Sequence, residues 1–253
     1  MKKLQLDANE RNELCNYRVC FHKKTEATQS IPVEMLFDRA YLKKLIEDLQ
    51  QDMDAEDGRV TASIFSKRYS FLLVVPAFYS FSVLNKKINL AKDQLFLEPS
   101  KSTEHWLPQL LLVDQTVRLF DSEEERVFQR RLLVEDIFAN HLNLICNELS
   151  TAWKVPKQIL WENTAIYLFW LYESLLEKES AEDVKQRLKE DFSYLLNDAE
   201  GSLFGNYNRN PLTRFYHEKT LVEGKEIRIR KTCCFSYQAE SRKMCYTCPK
   251  NCR

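Results

Sequence analysis

Five of the eight cysteines lie between residues 233 and 252, in the pattern C-C-x10-C-x2-C-x3-C formed by Cys233, Cys234, Cys245, Cys248 and Cys252. Two thiolates spaced as Cys245 and Cys248 fit one metal or one edge of a cluster. The short turn between them aims backbone amides at the sulfurs, and Pro249 stiffens it. Structural zinc normally takes two separated C-x2-4-C knuckles. Adjacent cysteines such as Cys233 and Cys234 make no knuckle, because their side chains diverge. An iron–sulfur cluster tolerates more varied spacing, since its ligands serve more than one iron. The residues alone thus favour iron–sulfur and leave zinc and free thiols as the other readings.

The compartment bears on that choice. The most apolar runs, residues 71–79 and 165–172, fall far short of the roughly 20 residues a membrane span needs. The first ten residues lack an apolar signal core. The expected location is the cytoplasm, where thiols stay reduced, so the cysteines read as metal or redox chemistry rather than as disulfides. With 37 basic and 37 acidic residues the chain is no polyelectrolyte, and no nucleic-acid partner is expected. Glycine occurs only at 58, 201, 205 and 224. Neither G-x-G-x-x-G nor G-x-x-x-x-G-K-[ST] can be drawn, so a built-in dinucleotide or nucleotide site of the usual kinds is excluded. Any electrons the protein handles then come from another molecule.

At 253 residues, 44% of them hydrophobic, the chain can bury an ordinary core. Residues up to about 30 are polar and ambiguous. Pro32 opens a helix on which Val33, Leu36, Phe37, Leu42, Leu45, Ile46 and Leu49 recur at helical spacing, followed by an acidic loop over 50–58. A second helix over 60–82, apolar on most faces, is predicted to be buried and to kink or break at Pro76. Short strands are predicted at 95–97 and 109–113. Helices follow from Ser122, whose first turn carries Glu123, Glu124 and Glu125, over 157–178 after the break at Val155-Pro156, and over 181–196. A hairpin over 221–230 turns at Glu223-Gly224, and its second strand, with Ile227, Arg228, Ile229 and Arg230, leads into Cys233. The expected class is α+β and predominantly α-helical: a helical body over residues 1–196, then a small antiparallel β element and a C-terminal cysteine-rich extension over 197–253.

The motif C-C-x10-C-x2-C resembles the C-terminal signature of the FhuF-type ferric siderophore reductases. Arg230-x-x-Cys-Cys-x-x-Tyr237 and Trp161-Glu-Asn163, where that family shows W-x-N, agree with it, and Asn210-Pro211-Leu212 is a weaker echo. The likeness spans roughly residues 60 to 250. The resemblance implies a 2Fe–2S cluster held by Cys233, Cys234, Cys245 and Cys248, with no catalytic residue separate from the cluster. It implies an oxidoreductase that reduces siderophore-bound Fe(III) to Fe(II) by one electron and frees iron in the cytoplasm. Hard Fe(III) is held tightly by the chelate oxygens, whereas Fe(II) is held far more weakly. Residues 1–196 would then bind the ferric siderophore. A ferredoxin, flavodoxin or flavin reductase would supply electrons, and the protein would work near the inner face of a siderophore uptake transporter. Cys252 is an extra cysteine relative to the motif and reads as a bystander. The alternative reading is a non-enzymatic siderophore- or partner-binding protein with a structural or sensing iron–sulfur or zinc site.

Other candidates read more plainly. Cys15 and Cys20 form C-x4-C without a third cysteine, and Cys146 sits in a helical apolar pattern; all three read as small apolar residues. His22, His105, His141 and His217 are dispersed, with His217 nearest the cysteines. Trp153, Trp161, Trp170 and Tyr172 have the spacing of core residues, with a chelate pocket as the other reading. From Lys219 to Arg253 basic residues outnumber acidic ones by six. That excess would attract an anionic chelate or an acidic electron donor, unless it is a solvated tail.

Overall fold

The computed structural model describes residues 4–23, 30–99, 106–239 and 242–250. These described residues form seven α-helices and nine short strands. The body is organised by two long helices, α3 (Gly58–Ser82) and α6 (Lys157–Lys178), which pack along one another. Twenty of the 25 residues of α3 are buried. Two of its serines are hydrogen-bonded across the contact with α6: Ser70 Oγ lies 2.8 Å from Thr164 Oγ1, and Ser82 Oγ 3.0 Å from the Tyr172 hydroxyl.

Pro76 does not break α3, which continues to Ser82. Proline inside a helix costs about 3 kcal/mol. Val74, Val75, Phe78 and Phe81 around it are each at most 1% exposed, and burying each such side chain contributes roughly 1.5–3 kcal/mol, so packing outweighs the lost hydrogen bond. The helix expected from Pro32 is two pieces: a 3₁₀ turn, Val33–Phe37, then α2 (Arg39–Asp52). Asp38 separates them in an extended conformation and caps α2 by accepting from Tyr41 N at 2.8 Å.

The N-terminal stretch left unassigned by pattern holds β1 (Leu4–Gln5), α1 (Ala8–Cys15) and β2 (Val19–Cys20), with α1 started by a capping box between Asp7 and Glu10. Two small sheets form. One has β4 (Lys87–Ile88) and β1 pairing antiparallel with β7 (Thr116–Arg118). The other runs in the order β2, β6 (Gln109–Leu112), β5 (Leu95–Glu98), β3 (Ile31–Pro32), antiparallel except for the parallel pair of β2 and β6. Ser122 caps α4 (Glu123–Ile137), a π turn Phe138–Leu142 leads into α5 (Asn143–Trp153), and Lys154 at φ 57° ends it. After α6, α7 (Glu182–Ser193) carries Asp191, which accepts from Arg126 at 2.6 and 3.1 Å, Arg130 at 3.1 Å and Ser82 at 2.7 Å, tying α4, α3 and α7 together inside the protein.

One apolar cluster runs from Leu6 through Phe215 to Ala239. The predicted hairpin is present as β8 (Thr220–Val222) and β9 (Lys225–Ile227), turning on Glu223 (φ 50°) and Gly224 (φ 77°), the positive-φ pair favoured in two-residue hairpin loops. Its second strand stops at Ile227 rather than running on to Arg230. Arg228 is drawn off to the His217 carbonyl (2.6 Å) and Glu173 (2.8 Å), and Arg230 turns inward.

Candidate iron–sulfur site

Beyond the hairpin the cysteine segment is seated on the helical body. Its anchor is Glu162 near the start of α6, whose side chain is 2% exposed. Its carboxylate accepts from Lys231 N at 2.6 Å, from Thr232 N at 2.7 Å, and from the Thr232 hydroxyl. Arg230, wholly buried, faces the same carboxylate with its Nε 3.6 Å away, donates to Asn163 Oδ1 at 2.7 Å, and through its backbone N–H to Thr247 O at 2.9 Å. Asn163 in turn donates to Ser63 O at 2.9 Å, and Ser63 Oγ donates to Cys234 O at 3.0 Å. Arg230 thus joins the stretch before Cys233 to the loop between Cys245 and Cys248, and α3 and α6 hold both.

The structure brings Cys234 and Cys245 together, Sγ to Sγ at 3.8 Å. Cys248 N donates to Cys245 O at 2.9 Å, closing the expected turn. Phe235, at φ 63°, donates its backbone N–H to Cys233 Sγ at 3.4 Å. Cys234 and Cys248 are buried, and Cys233 and Cys245 are part-exposed. Lys67 Nζ on α3 lies 3.8 Å from Cys234 Sγ, and Ser236 Oγ 2.9 Å from it. The hydrogen bond with Cys245, helped by the charges of Lys67 and Arg230, holds the Cys234 thiol well below the usual range; the same bond raises Cys245. Burial raises Cys233, on which the charges of Cys234 and Cys248 also bear. Among the described residues no three His, Cys, Asp or Glu side chains converge as the ligands of a single ion.

The donor set suits an anionic iron–sulfur group. A 2Fe–2S centre with four thiolates carries about two negative charges when oxidised, and two cations, Lys67 and Arg230, stand beside these sulfurs. Arg230 is the more telling, because among the described residues its buried Nη1 has no hydrogen-bond acceptor and its Nε has only the Glu162 carboxylate, 3.6 Å away. Buried guanidinium N–H groups normally find one.

The remaining sequence candidates lie elsewhere. Cys252 and His105 fall outside the described residues. Cys15 is exposed at the end of α1, Cys20 lies in β2, and Cys146 is buried in α5, its thiol pushed up to about 12 by burial. Trp161 and Tyr172 are core, with Trp161 Nε1 donating to the Tyr207 hydroxyl at 2.9 Å, whereas Trp170 is 47% exposed. Part of the basic excess of the tail is already paired, Lys219 and Arg228 with Glu173 and Arg242 with Asp54. A cavity of about 1080 Å³ between β4, β7 and α4 is lined by none of the described cysteines. Glu162 and Lys67 escaped the sequence reading. The available signal for Glu162 was a lone acid in the apolar run 159–172, where a buried charge needs a partner; Lys67, part-exposed and next to Arg68, gave none.

The family described as ferric iron reductase FhuF-like transporter matches residues 63–222, and the FhuF 2Fe-2S C-terminal domain matches residues 230–250. The chain belongs to the FhuF-like ferric iron reductases. No curated protein matches it. The 2Fe–2S domain of this FhuF-like protein begins at Arg230, the residue that locks the segment onto α6, and takes in Cys233, Cys234, Cys245 and Cys248. Its cofactor is a 2Fe–2S cluster. Among the described residues no helix is long and apolar enough to cross a membrane.

Proposed function

We propose that Cys233, Cys234, Cys245 and Cys248 hold the 2Fe–2S cluster and that the protein reduces siderophore-bound Fe(III) to Fe(II), releasing iron in the cytoplasm. The observation that carries this reading is the buried Arg230 guanidinium, short of acceptors, beside paired thiols at one end of α3 and α6. When bound, the cluster supplies one electron at a time. The chain's residues do the rest. Glu162 and Asn163 fix the segment, and Lys67 and Arg230 offset negative charge at the sulfurs, which favours the reduced form. Part-exposed Cys233 and Cys245 leave an edge open to reactants. One electron from a reduced ferredoxin, flavodoxin or flavin reductase, which is itself oxidised, ends on Fe(III). The resulting Fe(II) is weakly held by hard oxygen ligands and leaves. No bond to the protein forms, so no nucleophile or general base is required. In this reading residues 1–196 provide the chelate-binding body and 197–253 the cluster-binding part, and the protein works beside a siderophore uptake transporter.

Anaerobic purification followed by absorption spectroscopy and iron and sulfide analysis tests the cofactor. A brown protein bleached by dithionite, then reoxidised by a ferric siderophore with release of Fe(II), is the expected outcome. A colourless protein with stoichiometric zinc, or a cluster that cannot be cycled without unfolding, overturns it.

A further inference from the structure

Beside Cys234 the two long helices present an unusual surface. Lys67, 3.8 Å from Cys234 Sγ, is one helical turn from Phe71 on α3, about 6 Å along the axis. Phe71 meets Tyr167 edge-on at 5.1 Å and Trp170 at 6.2 Å, both on α6. The Arg18 guanidinium lies over the Phe71 ring at 5.3 Å. Arg18 sits at φ 62°, a conformation that costs a side-chain-bearing residue roughly 1–2 kcal/mol, and is held there with its carbonyl accepting from Leu110 N at 2.8 Å. Among the described residues Arg18 and Lys67 are in contact with a ring and a sulfur and with no carboxylate. The next acid along α6, Glu173, is engaged by Lys219 and Arg228. The surface is therefore positive, aromatic and part-exposed, and one edge of it touches a cysteine of the cluster segment.

We infer that Arg18, Lys67, Phe71, Tyr167 and Trp170 form the docking surface for the ferric chelate, and that it selects chelates of net negative charge. This rests on the reduction proposed above. Aromatic faces pack against the organic part of a chelate and stack with cations. Arg18, with no carboxylate contact among the described residues, complements a negative charge and repels a positive one, and Lys67, shared with Cys234, adds to it. Docking there puts the iron on the Lys67 side of Cys234, so reduction needs no rearrangement of the body.

Gallium(III) complexes separate binding from turnover because gallium is not reduced. Calorimetric titration of the cluster-loaded full chain is expected to show tighter binding of anionic gallium tris-catecholate than of neutral gallium tris-acetohydroxamate, with an affinity that falls as salt rises. Arg18→Gln is expected to weaken the anionic complex by roughly fivefold, the loss of about one screened charge contact. Trp170→Leu weakens both complexes, and the cluster absorption of each variant stays that of the parent. Equal affinity for the two complexes, or an unchanged Kd in both variants, overturns the assignment. So does an acidic ferredoxin that protects this surface while neither complex binds. If the anionic complex binds as expected but the dithionite-reduced protein reduces no ferric chelate, the docking surface stands and the catalytic reading falls.

Discussion

Replacing Glu162 with Gln tests the seat of the cysteine segment. The carboxylate accepts three hydrogen bonds from Lys231 and Thr232 and faces Arg230 at 3.6 Å. Gln keeps one acceptor oxygen, turns an amide N–H₂ toward donors, and leaves the buried guanidinium without a counter-charge. Hydrogen bonds to a charged group are each worth about 1.5–3 kcal/mol. Breaking a buried pair by removing one partner costs about 3–5 kcal/mol. These describe overlapping contacts, so the whole effect is taken as about 3–5 kcal/mol rather than their total. If the segment melts together with the body, Tm falls by roughly 10 °C. If it opens first, the loss appears locally. Thermal and urea unfolding followed both by far-ultraviolet circular dichroism and by cluster absorbance distinguishes the two, and hydrogen exchange at the Lys231 and Thr232 amides reports the anchor directly. Unchanged amide protection with an unchanged cluster-loss midpoint would refute the idea that this carboxylate holds the segment.

Three further outcomes follow from other contacts. Cys245→Ser is expected to abolish cluster absorption and iron and sulfide content, whereas Cys252→Ser retains both; the reverse pattern reassigns the ligands. Asp191→Asn strips Arg126 and Arg130 of their charge partner inside the protein and is expected to lower stability by about 3–5 kcal/mol in urea unfolding, with the cluster spectrum of the folded fraction unaltered. Burial, reinforced by Lys92, holds His141 down at about 3, so the folded protein keeps it neutral while the unfolded chain protonates near 6.5. Stability from this residue is present above that pH and lost as pH falls toward 3, about 2 kcal/mol of it by pH 5. His141→Gln should flatten the difference in urea midpoint between pH 7 and pH 5; parallel pH dependence in both proteins contradicts the assignment.

Helix α6 was legible to the residue, because Pro156 cannot continue α5 and the apolar run after it is long. The start of α4 was equally plain from Ser122 and the three glutamates behind it. Strands of two residues, such as β1 and β4, leave no periodicity to read, and their partners are remote in sequence. The π turns at Phe138–Leu142 and Tyr194–Asp198 are likewise invisible to a 3.6-residue pattern, since they are set by packing. The capping box of Asp7 and Glu10 was readable but stands before a helix with almost no apolar stripe. The cysteines announced themselves through spacing. Their supports, Glu162, Lys67 and Arg18, did not, because each acquires meaning only when helices distant in sequence are brought side by side.

Glu162 and Trp170 ride on one uninterrupted helix, eight residues and about 12 Å apart along its axis. The part that seats the cysteines and the part that meets the solvent therefore share one rigid rod. The spacing of these two residues is fixed by helical rise rather than by a hinge. In the reading proposed above, a chelate held at Trp170 and the anchor of the cysteine segment therefore keep their axial spacing whatever the loops at either end do.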